Sequence, residues 1–357
     1  YTAYAWMALG LITKGPIAAL IPFVVTLIVA LTERRHVDWI RSAFNPVAWL
    51  ILVAIALPWP LMAYFDQGDA LLRAWIWDHT LKRASTPLEG HGGALFYYVP
   101  VVLIGLLPFT PAFLSSLRSE FGRFRDPLTK FCLVWFLFVF VLFSFVSTKL
   151  PHYVVYGYTP LFVLMSGPLA QKGMARWHAV PVAGLLLIFL IAPFLADDIA
   201  PRLSDEFAAA VVAAAPEALG AAYIMGTGIA LATVLVTASR RMSLEARAVA
   251  LGAVMAAFVN FVAMPAAGRL TQEPIKEAAL IARDQDLEVI MYRFNMPSFL
   301  FYRRALSPDR TPEHGDIVIS KNTGFDQLIE DDNVRAKRGG DGACAQDAGP
   351  PCARGKP

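Results

Sequence analysis

Residues 131 to 146 read FCLVWFLFVFVLFSFV and contain no charged residue. A helix that crosses the hydrocarbon core of a membrane needs about 20 mostly apolar residues, so an uncharged run of this kind is typical of a membrane span. The whole chain agrees, because 57% of its residues are hydrophobic, 17% are charged and its mean hydropathy is +0.52. Soluble domains are more polar than this. The sequence therefore predicts an all-α polytopic membrane protein.

Nine apolar segments approach the length of a span. They form a predicted transmembrane domain over 1–267, with the segments near 1–12, 16–32, 46–65, 97–116, 131–147, 153–170, 179–196, 218–237 and 248–266.

The loops between these segments fall into two alternating sets that differ in basic content. The richer set holds twelve basic residues: Arg34, Arg35, Arg41, Arg118, Arg123, Arg125, Lys130, Lys172, Arg176, Arg240, Arg241 and Arg247. The poorer set holds six, although its loops are longer: Lys14, Arg73, Lys82, Arg83, Lys149 and Arg202. Short cytoplasmic loops collect Lys and Arg. We therefore expect the poorer set and the tail after Gly268 to face outward.

The tail differs in kind from the rest of the chain. The stretches LEVIMYRF and GDIVISKN read as strands, a helix-like stretch precedes them, and SFLFYRRAL lies between them. These features predict a small extracytoplasmic α/β module over 268–338, followed by a disordered Gly- and Pro-rich end over 339–357. For Cys344 and Cys352 in that end, the sequence leaves open both a disulfide and two free thiols.

Several functional classes lack support. The sequence has no GxxxxGK[ST] motif and no GxGxxG after a strand, and it has no Cys/His spacing that suggests zinc. The net charge of +3 is small and the basic residues are scattered, which disfavours nucleic acid as a partner. The chain also begins with YTAYAWMALG, without an initiating Met or a signal peptide, and we expect that a preceding part is missing.

Three predicted outward loops carry cations beside aromatic rings. Lys14 lies in a tight turn, Trp75 and Trp77 lie in an amphipathic loop over 66–95, and Lys149 begins the third loop with His152 and Tyr153 close behind it. The simplest ligand for such a set is an anionic lipid headgroup, a phosphate above all. For each residue taken alone there is an ordinary alternative.

Those alternatives stay open at this point. Lys14 and Lys149 can be lysines that anchor helix ends by snorkelling. His79 can be an interface residue, Tyr97 and Tyr98 can belong to an aromatic belt, and His91 can mark a turn.

The motifs LITKGPIA, WIWDHTLKRASTP with the following HGGALFYYVP, and STKLPHYVVYGYTP occur in an order that resembles a known family. They are similar to the bacterial GT-C glycosyltransferases that include aminoarabinose transferase and the protein mannosyltransferases. MYRFNMPSFLFYRRAL in the tail also resembles a segment of the family's outer domain. The resemblance covers roughly Leu9 to Leu306. It implies an inner-membrane enzyme that moves a sugar from a polyprenyl-phosphate carrier to an acceptor such as lipid A on the periplasmic face.

The resemblance also implies roles for individual residues. Lys149 and Tyr153 of KLPHY would hold the carrier phosphate, and Lys82 or Arg83 would assist them. With these residues, the expected set of phosphate-binding residues consists of Lys149, Tyr153, Lys82, Arg83, Lys14, His152 and Tyr98.

Two further implications concern catalysis. His79 occupies the position of a motif histidine that in some relatives helps to hold a divalent metal, and no other cofactor is implied. The family's catalytic carboxylate lies in its first outer loop, which would precede residue 1, so no catalytic residue is assigned within the chain.

Two other functions remain as alternatives. A transporter or flippase of lipid-linked sugars should place ionisable residues at mid-membrane depth, and the apolar segments hold almost none, which disfavours it. The second alternative is a non-catalytic scaffold with an outer module. Release of free polyprenyl phosphate from a labelled lipid-linked sugar separates the enzyme from both.

Overall fold

The computed structural model describes residues 1–82, 85, 93–204, 206–239, 241–292, 296–308, 310–313, 316–320, 337–339 and 342–344. The chain divides into two compact units, 1–184 with 232–255 and 185–231 with 256–357.

Helices account for most of the described residues. In chain order the α-helices are α1 (Thr2–Lys14), α2 (Ile17–Thr32), α3 (His36–Ala43), α4 (Pro46–Ala56), α5 (Pro58–Gln67), α6 (Ala70–Leu72), α7 (Tyr98–Gly105), α8 (Thr110–Gly122), α9 (Pro127–Phe145), α10 (Tyr158–Lys172), α11 (Ala179–Ile191), α12 (Ala196–Ile199), α13 (Glu206–Ala213), α14 (Ala215–Ala218), α15 (Ala221–Ser239), α16 (Leu244–Phe258), α17 (Met264–Thr271), α18 (Glu273–Asp284) and α19 (Pro297–Arg303). Between them lie the 3₁₀ helices Pro151–Gly157, Arg176–His178, Ala192–Leu195 and Ala200–Arg202, and the π-helical segments Arg73–Lys82 and Val259–Ala263.

Local sequence fixes where two of the membrane helices begin. Asn45 precedes α4 and its side-chain oxygen accepts the N–H of Ala48 at 3.1 Å. Asp126 precedes α9 and accepts the N–H of Thr129 at 2.8 Å. In both helices a proline follows the capping residue, at a position where its missing N–H costs nothing.

The core of the first unit forms around α9. Leu133, Val139 and Phe143 of this helix are buried in one cluster with side chains of α2, α7 and α10. Helix α1 approaches α2 closely, since a Cβ on Gly10 would lie 2.8 Å from the Cβ of Ala18. Helix α9, which carries no charge after Lys130, is thus enclosed by other helices on one side and leaves Leu137, Val141 and Phe145 exposed on the other.

The predicted apolar segments are helical over most of their lengths. Four helices in the described part of the chain are long and apolar enough to cross a membrane, and two bent pairs raise the number to six. Two of the four are the single helices α9 (Pro127–Phe145) and α15 (Ala221–Ser239). The other two are runs of consecutive helical elements, Arg176–Arg202 and Leu244–Thr271. The segments predicted near 1–12, 16–32 and 153–170 instead contain α1, α2 and α10, with 13, 16 and 15 residues.

Two predicted continuous spans are broken in the structure. The segment near 97–116 consists of α7 and α8, and the direction of the chain changes by 116° between them. The segment near 46–65 is divided at Leu57, between α4 and α5. Pro108 lies in the first break and Pro58 follows the second, and a proline ends a helix because it has no N–H to donate.

The second unit contains two separate hydrophobic clusters. One joins Ala196, Ala215, Leu219, Tyr223 and Ala266. The other lies in the tail, where Ala279, Ala282, Val289, Met291 and Phe299 are buried together.

The predicted tail strands are present. β1 (Val289–Tyr292) and β2 (Ile317–Ser320) pair in parallel, with Val289 opposite Ile317, and α19 lies between them in the chain. β3 (Lys337–Gly339) pairs antiparallel with β4 (Gly342–Cys344). Of the end that we expect to be disordered, 340–341 and 345–357 lie outside the described residues, and so does Cys352.

Candidate functional site

The loops of the richer basic set contact one another. The Lys130 ammonium forms an ion pair with Glu33, which joins the loop after α2 to the start of α9. The buried Arg247 guanidinium donates to the carbonyl oxygen of Met174 at 2.8 Å, which joins the loop after α10 to α16. These contacts agree with the sorting of the loops by their basic content.

The three loops that carry candidate phosphate-binding residues also contact one another. The first contact joins the first loop to the second. Gly15 ends α1 with a φ of 80°, a conformation that favours glycine. A Cβ on Gly15 would lie 3.0 Å from Nε1 of Trp75 in the π-helical segment. The indole of Trp75 also packs edge-on against Trp59, with 6.4 Å between ring centroids. Trp75 therefore holds the second loop against the turn that carries Lys14.

The second and third loops are joined at two points. Ser147 Oγ donates to the carbonyl oxygen of Ser85 at 3.0 Å. A Cβ on Gly93 would lie 3.0 Å from Cγ of Lys149, so the glycine lets the backbone pass over the lysine stem. This glycine follows His91, for which the sequence left a turn open, by two residues. In the described residues, these contacts join the first loop to the second and the second to the third.

Lys149 is buried at the start of the third loop. Its side chain is 5% exposed, and its ammonium donates to the carbonyl oxygens of Phe143 at 3.2 Å, Ser144 at 2.5 Å and Val146 at 2.7 Å. These carbonyls lie at the carboxyl end of α9, where helical partners run out and a positive charge is favoured. The ammonium also lies 5.8 Å from the centre of the Tyr98 ring. Burial lowers the pKa of Lys149 below its ordinary value.

Tyr98 is fully buried and holds the backbone of the third loop. Its hydroxyl donates to the carbonyl oxygen of Leu150 and accepts the N–H of the same residue, each at 3.2 Å. Leu150 directly precedes the 3₁₀ helix Pro151–Gly157, so the tyrosine sets where that helix begins. An aromatic-belt residue exposes its ring to the interface, whereas the Tyr98 ring is fully buried, which differs from the belt interpretation.

The remaining candidates lie nearer to solvent. His152 is exposed and its ring packs edge-on against Tyr153, with 4.9 Å between centroids. Tyr153 is half-buried and its ring lies 4.9 Å from that of Phe143. Lys14 and Lys82 are exposed. Arg83 and the side chain of His79 lie outside the part of the chain that the structure describes.

The described residues give no group of ligands for the metal that the resemblance implies. Among the described residues, no three His, Cys, Asp or Glu side chains lie together as a metal site would require. Because the His79 side chain is not among them, we derive no catalytic step through a metal.

Replacement of Tyr98 with phenylalanine tests the link between the second and third loops. The ring and its packing are kept, while Leu150 loses the partner of both its backbone groups. We expect a loss of about 1–3 kcal/mol in the free energy of unfolding, the cost of leaving buried backbone groups unpaired. Thermal unfolding in detergent would measure it, with Tyr97→Phe as the control. Equal midpoints for Tyr98→Phe and the unchanged protein would contradict this role.

No family model matches the chain. Curated proteins do match part of it. The undecaprenyl phosphate-alpha-4-amino-4-deoxy-L-arabinose arabinosyl transferase of Edwardsiella ictaluri is 31% identical over 179 residues, which are 50% of this chain and 32% of that protein. The transferase of the same name from Shewanella sediminis is 29% identical over 161 residues, or 44% of this chain and 29% of that protein. The matches thus span about a third of the length of these relatives.

Two solved structures have the same fold as the chain. The crystal structure of ArnT from Cupriavidus metallidurans bound to undecaprenyl phosphate has a TM-score of 0.63 and 17% identity, over 96% of this chain and 67% of that one. The apo structure of the same protein has a TM-score of 0.66 and 18% identity, over 98% and 69%. We conclude that this membrane protein is homologous over half of its length to the aminoarabinose transferases and shares the ArnT fold.

Proposed function

We propose that the protein is a membrane glycosyltransferase that takes a sugar from a polyprenyl-phosphate carrier and transfers it to a lipid acceptor such as lipid A. The homology to transferases named for undecaprenyl phosphate-linked aminoarabinose supports this donor class. The lipid A acceptor and the choice of aminoarabinose, a pentose, as the sugar are carried over from the same resemblance and form part of the proposal.

The observation that carries the proposal is the joining of the three loops. Contacts from Gly15 to Trp75, from Ser85 to Ser147 and from Tyr98 to Leu150 join the segments that carry the candidate cations and rings. A phosphate ester at a membrane boundary is bound by such a set, because positive charges attract it more strongly where water screens them less.

The burial of each residue suggests whether it shapes the third loop or contacts the phosphate. Lys149 and Tyr98 are bonded to the backbone, so we assign them the shaping of the third loop and, for Lys149, a positive charge beneath it. Lys14, Lys82 and Tyr153 are exposed or half-buried and are assigned direct contact with the phosphate. His152 and Arg83 complete the proposed set, His152 beside Tyr153 and Arg83 from its position in the sequence.

These residues would act on the leaving group. In the transfer, the bond between the anomeric carbon and the carrier phosphate oxygen breaks, and its electron pair remains on the phosphate. A new bond forms from an acceptor oxygen to the same carbon. Cations close to the phosphate stabilise the charge that develops there. A hydroxyl acceptor must also lose a proton, whereas a phosphate acceptor is already anionic and needs mainly positioning. We assign no catalytic base among residues 1–357.

The orientation of the chain is part of the same proposal. We place the three joined loops and a 268–338 module on the periplasmic side of the bacterial inner membrane, and the richer basic loops in the cytoplasm. In this arrangement the short helices α1, α2 and α10 also cross the membrane, giving nine spans in total.

The proposal predicts the effect of two substitutions on transfer. Lys82→Gln and Tyr153→Phe each remove a donor to a charged phosphate, and we expect each to lower the rate about tenfold. The measurement is release of free polyprenyl phosphate from a labelled polyprenyl-phosphate sugar by membranes that contain the protein. Arg125→Gln, a basic residue of the opposite loop set, is the matched control and should leave the rate unchanged.

Two outcomes would refute parts of this proposal. Equal rates in all three variants would remove Lys82 and Tyr153 from the phosphate site. No release by the unchanged protein from any donor would refute a transferase and favour a flippase of lipid-linked sugars.

A further inference from the structure

Helix α3 is short and attached firmly on one side. Trp39 Nε1 donates to Thr26 Oγ1 of α2 at 3.0 Å, and the indole packs edge-on against Phe23 with 4.8 Å between centroids. At the end of the helix, the carbonyl oxygen of the buried Ala43 accepts hydrogen bonds from Tyr4 and Trp49. This side of α3 is therefore fixed against α1, α2 and α4.

A second side of the helix is apolar and exposed. Val37 and Ile40 are each 50% exposed, and Phe44, which follows the helix, is 59% exposed. Their spacing of three and four residues places them on one face. None of these side chains gains from contact with water, so an apolar surrounding is the favourable one.

A third side is charged and predominantly basic. Arg41 and Asp38 lie about 70° and about 130° around the helix from the centre of the apolar face, since successive residues are turned by about 100°. Arg34 and Arg35 directly precede the helix, and Arg35 pairs with Asp38 at 3.5 Å. Three arginines against one aspartate leave this part of the surface positive, and all four side chains are exposed.

The charges decide between two positions for this helix. α3 and α4 together are long and apolar enough for a span, with a bend of 45° between them. If α3 continued that span, Arg35, Asp38 and Arg41 would enter the hydrocarbon, which charged side chains avoid. If α3 lay in water, its apolar face would remain exposed to water, which is unfavourable. Only the interface suits both faces, because its headgroups are polar and its acyl chains begin a few ångströms deeper.

We propose that α3 lies in the plane of the membrane interface as a binding site for anionic phospholipid. Val37, Ile40 and Phe44 enter among the acyl chains, while Arg34 and Arg41 contact the negatively charged headgroups. The contacts of Trp39 and Ala43 fix the helix so that both faces are presented together. The occupant is a bilayer lipid, since a protein partner would not require the charged and apolar faces to lie at different depths.

Spin labels on the two sides of the helix test its depth. Ile40→Cys places a label on the apolar face and Ser42→Cys places one on the opposite side, each in a background with Cys132→Ala, Cys344→Ser and Cys352→Ser. In lipid nanodiscs we expect the label at position 40 to be relaxed mainly by oxygen and the label at position 42 mainly by a water-soluble nickel chelate. The thermal midpoint of each variant checks that it is folded.

Every other pattern would overturn the proposal. Nickel access at both positions would place the helix in water, and oxygen access at both would place it within a span. Protection of position 40 from both reagents would show that protein, such as a second copy, covers the face.

Binding of the headgroup is tested separately with phosphatidylglycerol as the probe. Native mass spectrometry of the detergent-solubilised protein, titrated with this lipid, gives an apparent affinity. Because a basic residue near an anionic surface contributes about 1 kcal/mol, Arg34→Gln and Arg41→Gln should each weaken binding about fivefold. Arg304→Gln, an exposed arginine of the tail, is the control and should have no effect. Equal affinities in all three variants would overturn the headgroup contacts.

Discussion

Replacing Lys149 with methionine is expected to lower the midpoint of thermal unfolding by on the order of 5 °C in detergent. Methionine keeps most of the length and the apolar stem of the lysine, so the packing against Gly93 and Tyr98 is largely preserved. What is lost is the ammonium that three carbonyl oxygens at the end of α9 share. If each buried carbonyl costs about 1 kcal/mol when it loses its partner, the total is about 3 kcal/mol.

Lys14 provides a matched control for this substitution. Both lysines lie at or just beyond the carboxyl end of a helix, yet Lys14 is exposed and Lys149 is buried. An exposed lysine at a helix end contributes little, so Lys14→Met should change the free energy of unfolding by less than about 0.5 kcal/mol. If the two variants unfold at the same temperature, Lys149 is an ordinary anchoring residue and the geometry of its ammonium is irrelevant to stability.

The Lys149→Met variant also bears on the proposed reaction. If Lys149 supplies charge beneath the phosphate as well as holding the loop, transfer by Lys149→Met should fall further than its loss of folded protein explains. Activity is therefore compared per folded molecule, at a temperature well below both midpoints. Activity that falls only in proportion to the folded fraction would reduce Lys149 to a structural role.

Sequence alone predicts the helical segments, and it sorts the loops into two sets whose orientation stays a prediction. Long uncharged runs such as 131–146 cannot be placed anywhere but in a membrane or a buried core, so their positions follow from composition. The sorting of loops by basic content agrees with the contacts of Glu33 with Lys130 and of Met174 with Arg247. The strands β1 and β2 also follow from their runs of apolar residues.

Other features depend on residues far apart in the chain and have no local signal. The sequence offers both anchoring and phosphate binding for Lys149. It does not indicate that the Lys149 ammonium donates to the carbonyl oxygens at the end of α9, the helix that precedes it. Nor does it indicate that the Tyr98 hydroxyl lies against Leu150, 52 residues away. The contact of Gly15 with Trp75 has only a partial signal, since the Gly-Pro pair predicts a turn but does not predict its partner.

Substitution of Gly173 with alanine is expected to destabilise the protein by about 2–6 kcal/mol, through two separable effects. Gly173 ends α10 with a φ of 56° and a ψ of −160°, a backbone region essentially restricted to glycine, which costs an L-residue about 1–3 kcal/mol. A Cβ there would also lie 2.0 Å from the Cβ of Leu244, so the loop before α16 must move, at about 1–3 kcal/mol. Gly68 ends α5 with a φ of 65° and has no atom within 4 Å of its Cβ position.

Gly68→Ala therefore measures the backbone effect alone, and the difference between the two alanine variants measures the clash. Thermal unfolding in detergent gives both values. A third variant, Gly173→Ala with Leu244→Gly, removes the atom that is contacted and should recover part of the loss, because substitutions in contact are not additive. Equal costs for Gly173→Ala and Gly68→Ala, with no recovery in the double variant, would mean that the loops after α10 and before α16 do not approach each other. The grouping of the basic loops on one face would then lose one of its two supporting contacts.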